Sequence, residues 1–134
     1  MNVGEKTAVT NIVVNRTTAL QYCEAIQENH PLCTDLEAAK ASGFSDLLLP
    51  VTYPSLFWQQ IKIPWLNEVQ FSILLSQSFH YQKRLVAHTT YKCQIELVKL
   101  RKRSTTQWIE HLLHIYQNDE EIATSGITLQ IDRT

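Results

Sequence analysis

The chain has 134 residues, twelve basic and thirteen acidic side chains (net charge −1), and 44% hydrophobic against 19% charged residues. That length suits a single domain over residues 1–134 with a substantial core, and the balanced charge offers no field to gather nucleic acid or an anionic membrane. Cysteines at 23, 33 and 93 show no CxxC or Cys/His ligand spacing, which argues against a zinc site and reads as reduced thiols.

No run approaches eighteen apolar residues, so no transmembrane helix is expected. Met1–Thr10 lacks the basic-then-apolar order of a leader. A cytoplasmic protein is the expectation.

In chain order, the β-rich run Ala8–Val14 predicts a first strand. Thr17–Glu28 has apolar residues at 19, 20, 22, 23, 25 and 26, which predicts an amphipathic helix capped by Thr17 or Asn15 and stopped by Pro31. Thr34 and Glu37 have capping-box spacing, predicting a short helix over Asp35–Ser42 that ends at Gly43. Tyr53, Leu56, Phe57 and Ile61 then suit a buried helix face over Thr52–Ile61, with Pro54 in the first turn. Ile63–Phe71 has no clear period and reads as a loop.

From Leu74 the pattern changes to alternation. Four strands of roughly ten residues, joined by short polar turns, predict an antiparallel meander. Helices grouped ahead of an antiparallel sheet define an α+β domain, with one face of the sheet packed on a helix. The basic run Lys99, Arg101, Lys102, Arg103 reads as a solvated strand end. The histidines at 80, 88, 111 and 114 lack metal-ligand spacing. His111 and His114 fall on opposite faces of a strand, and no metal is expected.

Four segments, in this order, carry a resemblance. They are Glu28-Asn-His30-Pro31-Leu-Cys33-Thr-Asp35, Glu37-Ala-Ala-Lys-Ala-Ser-Gly43-Phe44, Leu48-Leu-Pro50-Val-Thr52-Tyr53-Pro54, and Gln77-Ser-Phe79-His80-Tyr81-Gln-Lys83-Arg84-Leu85. Together they resemble the MaoC-like hot-dog dehydratases and hydratases, of the N-terminal, FAS1-like dehydratase-region type, over about residues 10–132. The resemblance implies a long antiparallel sheet wrapped around a central α-helix. It also implies an acyl thioester as ligand, carried by CoA or acyl carrier protein, and no further cofactor.

The family's catalytic loop reads Gly-Asp-x-Asn-Pro-x-His, its Asp and His activating the water that is added to or lost from the thioester. Here the Gly position is Gln27, the Asp position Glu28, the Asn position His30 and the His position Cys33, with Pro31 matching. A histidine exchanges protons near neutral pH. A cysteine, with an ordinary pKa of about 8.5, stays mostly protonated. His30 beside Glu28 offers an alternative acid–base pair. By resemblance, backbone amides of Val51, Thr52 and Tyr53 receive the thioester oxygen, with Pro50 shaping the turn and Phe57 and Trp58 as candidate lining of an acyl tunnel.

Three functions follow from these residues. The leading one is a non-catalytic, degenerate subunit that binds the acyl chain and completes a dehydratase as a heterodimer with a catalytic MaoC-like chain. The second is an active 3-hydroxyacyl-thioester dehydratase using Glu28 and His30. The third is an acyl-CoA-sensing or purely structural dimer module without turnover, and homodimer and heterodimer are both open. A thioesterase has less support, because the central helix offers no convincing nucleophile or acid.

Overall fold

Strand β3 (Thr90–Arg103) buries Tyr91, Cys93, Ile95 and Leu97, and strand β4 (Thr106–Gln117) buries Ile109, His111, Leu113 and Ile115. Alternation of this kind gives a sheet one covered face and one open face. The computed structural model describes residues 1–67, 69 and 71–132. Around β3 and β4 lie β1 (Thr10–Val13), β2 (Phe71–Tyr81) and β5 (Glu120–Asp132), forming an antiparallel five-stranded sheet of order β1-β3-β4-β5-β2. The β4–β5 hairpin turns through Asn118 and Asp119, both at positive φ. This is the two-residue turn that matches strand twist and that Asn and Asp tolerate.

The predicted meander holds for β3, β4 and β5 and fails for β2. That strand pairs with β5 at the far edge of the sheet, with Phe71 opposite Asp132 and Tyr81 opposite Ala123. The link from β2 to β3 is therefore a crossover instead of a short polar turn. It buries Leu85, Val86 and Ala87, and its backbone pairs with the run Leu47–Leu49: Leu49 N–H bonds Leu85 O (2.8 Å) and Ala87 N–H bonds Leu47 O (2.8 Å). Burial of that apolar triplet is what draws the link across the covered face.

Among the described residues, three short α-helices lie between β1 and β2: α1 (Arg16–Ala25), α2 (Pro31–Thr34) and α3 (Leu36–Ala41). Asn15 caps α1, its Oδ1 accepting from Thr18 N–H at 2.7 Å. Helix α1 ends at Ala25, well before Pro31; the proline instead opens α2, where its missing N–H costs nothing. Asp35, not Thr34, caps α3 by accepting from Glu37 N–H (3.0 Å), while the Thr34 hydroxyl donates back to His30 O (3.1 Å). Gly43 at φ +94° closes α3 as expected.

The predicted central helix forms as a 3-10 helix over Tyr53–Gln60, and a second 3-10 turn spans Pro64–Leu66 within the stretch read as loop. Phe71 belongs to β2. The loop reading at positions 68 and 70, and the end of the domain at 133 and 134, lie outside the described residues. Rising about 2.0 Å per residue instead of about 1.5 Å, the tighter helix stretches its eight residues along the sheet. It packs Tyr53 and Phe57 into the main core with Ile12, Leu47, Ile95, Leu113 and Ile115.

Arg16 at the start of α1 reaches Asp46 with two nitrogens, at 2.7–3.1 Å, tying α1 to the segment that leads into the 3-10 helix. This pairing holds the Asp46 carboxyl below its ordinary range. Among the described residues, no helix is long and apolar enough to cross a membrane.

Candidate functional site

The turn after α1 is built by backbone bonding. Gln27 N–H bonds Glu24 O (3.2 Å) and Glu28 N–H bonds Cys23 O (2.8 Å), the two bonds of a Schellman motif. Its αL position is Gln27, at φ +58°, where a glycine would be unstrained. The same pair of bonds ends α3, from Gly43 to Lys40 O and Phe44 to Ala39 O, with the glycine present.

His30 is exposed and caps α2: its Nδ1 accepts from Leu32 N–H at 3.1 Å. The imidazole nitrogen thus does what the side-chain oxygen of Asn, Asp or Ser does in the usual cap. With Nδ1 accepting, the ring proton sits on Nε2.

Cys33 is 3% exposed and packs with Cys23, Leu48, Val86, Leu32 and Phe44. Burial, and then the nearby Glu28, push its thiol up, with Arg84 opposing. Cys23 is raised by burial, by Cys33 and by Glu28. A thiol held protonated in an apolar pocket is neither base nor nucleophile. Glu28 is half-buried and sits close enough to act on both thiols. Glu28, His30 and Cys33 thus share one turn, yet they face different surroundings.

A backbone bond from Leu48 N–H to Leu32 O (2.9 Å) staples this turn to Leu47–Leu49, and the chain then enters Pro50–Tyr53. Pro50 is buried, while Val51 and Thr52 are exposed. The Tyr53 amide is already used, bonding Pro50 O at 2.9 Å. The amides of Val51 and Thr52 have no hydrogen-bond partner among the described residues. Side chains hold this turn from outside. Tyr81 Oη donates to Val51 O (2.6 Å), Arg84 Nη2 donates to Leu49 O (2.8 Å), and the Tyr22 and Thr52 hydroxyls bond each other (2.7 Å).

The side chains of Tyr53 and Phe57 do not join the site. They stack edge-to-face in the core, with Tyr53 also against Tyr22. Trp58 is half-buried and meets His111 edge-on at 6.4 Å.

His111, 1% exposed, lies beneath the two 3-10 helices, its ring within 12° of the plane of Trp65 and accepting from that ring's Nε1–H at 2.9 Å. Burial lowers its pKa to about 4. With Nε2 accepting, the proton sits on Nδ1. On the open face of the sheet His114 bonds both Glu96 (2.9 Å) and Glu121. Among the described residues no cluster of His, Cys, Asp or Glu is arranged to hold a metal.

Tyr22, Tyr81 and Arg84 escaped the functional reading of the sequence. Their partners lie 30 to 35 positions away, so no local pattern points to them.

A long antiparallel sheet closed over one helical segment, with a proline turn beside that segment's start, defines a hot-dog fold of the MaoC-like dehydratase and hydratase class. The chain belongs to the family of the FAS1-like dehydratase domain region, whose sequence model matches residues 1–125. A UPF0336 protein of Saccharopolyspora erythraea is 31% identical over 75 residues; the match covers 56% of this chain and 48% of that protein, about half its length.

Among solved structures, the C-terminally truncated HadBC (3R)-hydroxyacyl-ACP dehydratase complex of Mycobacterium tuberculosis superposes with a TM-score of 0.84 at 18% identity, over 96% of each chain. The (R)-hydratase of A. caviae involved in PHA biosynthesis gives 0.74 at 14% identity, again over 96% of each. At such identities these likenesses establish the fold.

Proposed function

We propose that this chain is an acyl-thioester-binding subunit of a (R)-3-hydroxyacyl-thioester dehydratase or hydratase, lacking the acid–base pair itself and completing the enzyme with a catalytic chain of the same fold. The observation that carries this reading is the contrast at one site: Cys33, at the histidine position, is a buried protonated thiol, whereas the Val51 and Thr52 amides remain open. Two N–H groups at the start of a helical turn suit a thioester oxygen on which negative charge develops. The ligand is an acyl chain on CoA or an acyl carrier protein, and the chemistry requires no further cofactor.

The sheet edge supports a partner. Strand β2 is an outer strand, and Phe71, Ile73, Leu74 and Leu75 on it are exposed. A long apolar edge left open invites pairing with another chain. That the HadBC structure is a complex agrees with a heterodimer.

Catalysis by Glu28 with His30 has less support, because His30 Nδ1 is spent on the cap of α2. The deciding measurement is hydration of crotonyl-CoA by the purified chain, by its Glu28→Gln variant and by the chain mixed with a catalytic MaoC-like partner. Equal background rates for the first two, with crotonyl-CoA bound, are expected. A clear drop in Glu28→Gln restores the enzyme reading. Binding with no turnover in the mixture leaves an acyl-CoA-sensing module instead.

A further inference from the structure

We propose that Tyr81 is a positioning residue for the thioester oxygen: by donating its hydroxyl to the Val51 carbonyl, it aims and polarises the Thr52 amide. This rests on the reading above, in which the Val51 and Thr52 amides receive that oxygen.

The argument begins with the peptide plane. In a trans peptide the carbonyl of one residue and the N–H of the next point in opposite directions and turn together. Holding a carbonyl therefore fixes the direction of the amide on the other side of its plane. Each of the two open amides has such a partner. The Val51 amide shares a plane with Pro50 C=O, which accepts from Tyr53 N–H at 2.9 Å. The Thr52 amide shares a plane with Val51 C=O, which accepts from Tyr81 Oη at 2.6 Å.

The two restraints differ in origin. The first is made by the turn itself and needs only a backbone that closes there. The second comes from a side chain 30 residues away, on a strand whose register is set by pairing of Tyr81 with Ala123. Nothing local would otherwise hold the Thr52 plane, since the Thr52 side chain makes no capping bond to the 3-10 helix. Its hydroxyl is instead engaged by Tyr22 at 2.7 Å.

Donation into a carbonyl also strengthens the N–H of the same amide as a donor, as in any hydrogen-bond chain. Burial raises the Tyr81 phenol to about 12, so it remains a proton donor throughout the neutral range. Arg84 supports the arrangement from the same connection. Its guanidinium lies over the Tyr81 ring at 5.6 Å, and its Nη2 holds Leu49 O at 2.8 Å. Between the two held carbonyls stands Pro50, whose ring limits backbone rotation.

The test uses crotonyl-CoA carrying 13C at the thioester carbonyl, bound to wild type, Tyr81→Phe and Tyr116→Phe, with the carbonyl stretch read by isotope-edited infrared spectroscopy. Bound to wild type, the band should move below its position in water. In Tyr81→Phe most of that movement should vanish and affinity should fall about fivefold, as expected for one lost hydrogen bond. In Tyr116→Phe, which removes a phenol beside His114 on the open face of the sheet, the band should stay where wild type puts it. A wild-type band position in Tyr81→Phe overturns the proposal.

The same 15N-labelled samples without ligand read the amides directly. Tyr81→Phe should move the Thr52 amide proton upfield by more than that of Val51, which belongs to a different plane. Equal movement, or none, also overturns the proposal. Failure of wild type to bind crotonyl-CoA removes the thioester reading, while the ligand-free spectra still decide whether Tyr81 sets the Thr52 amide.

Discussion

The turn Gln27–Cys33 is tied by the Leu48 N–H to Leu32 O bond to the run that leads into the turn Leu49–Tyr53, yet the two turns present different groups. The first depends on side chains. Gln27 takes the αL position, the His30 ring caps α2 and the Cys33 thiol fills the apolar pocket. The second depends on backbone N–H groups, which no substitution at their own positions removes except proline. A site built from peptide planes is exposed to mutation mainly through the residues that hold the planes. Chemistry that needs one particular side chain is lost in a single step.

The largest expected effect separates the supports of the two regions. The 3-10 helix after Leu49–Tyr53 rests through Trp58 on His111, whereas Gln27–Cys33 rests on the cysteine pocket. The folded-state pKa of His111 is depressed from 6.5 to about 4, so protons bind the unfolded chain preferentially. Its contribution is intact above the unfolded value and declines as pH falls from about 6.5 toward about 4. The loss amounts to roughly 3 kcal/mol over that window. Denaturant melts of wild type and His111→Gln, which keeps an acceptor for Trp65 without titrating, should diverge in slope there. Parallel pH profiles would show that the floor does not bear on stability.

A smaller effect tests the loop. Cys33→His places a larger, polar ring among Cys23, Leu48 and Val86, and should cost about 2 kcal/mol through overpacking and an unpaired ring nitrogen. Crotonyl-CoA hydration should remain at background. If this variant hydrates the substrate at wild-type stability, position 33 faces the ligand and the comparison breaks.

The smallest effect has the opposite sign. Gln27→Gly relieves the positive φ at the end of α1 at the cost of a more flexible unfolded chain. A net gain of about 0.5 kcal/mol is expected, read as a higher urea midpoint. A loss would mean that the Gln27 side chain makes up for its backbone strain.

Much of the fold is legible along the chain. The strand alternation at Tyr91–Leu97 and at Ile127–Ile131, the Asn15 cap, the glycine stop at 43 and the Asn118-Asp119 turn all reflect local geometry, which a short stretch of residues sets for itself. The departures are places where distant packing decides. Strand β2 leaves the meander because the buried triplet Leu85–Ala87 crosses to Leu47–Leu49, and the segment after Thr52 winds tighter than an α-helix.

The candidate site divides in the same way. Glu28, His30 and Cys33 could be named from order and spacing, but not the direction each one faces. The Tyr81–Val51 bond left no trace that could be read locally.

The sequence by itself determined the α+β class and the family, because periodicity, turn chemistry and motif order are properties of neighbouring residues. Tertiary structure alone decided that Cys33 is sealed in an apolar pocket, that His30 is spent as a cap, and that two amides stay open beside carbonyls held from 30 residues away. Burial and hydrogen-bond partnership join residues far apart in the chain, and they exist only once the sheet order has brought those residues together.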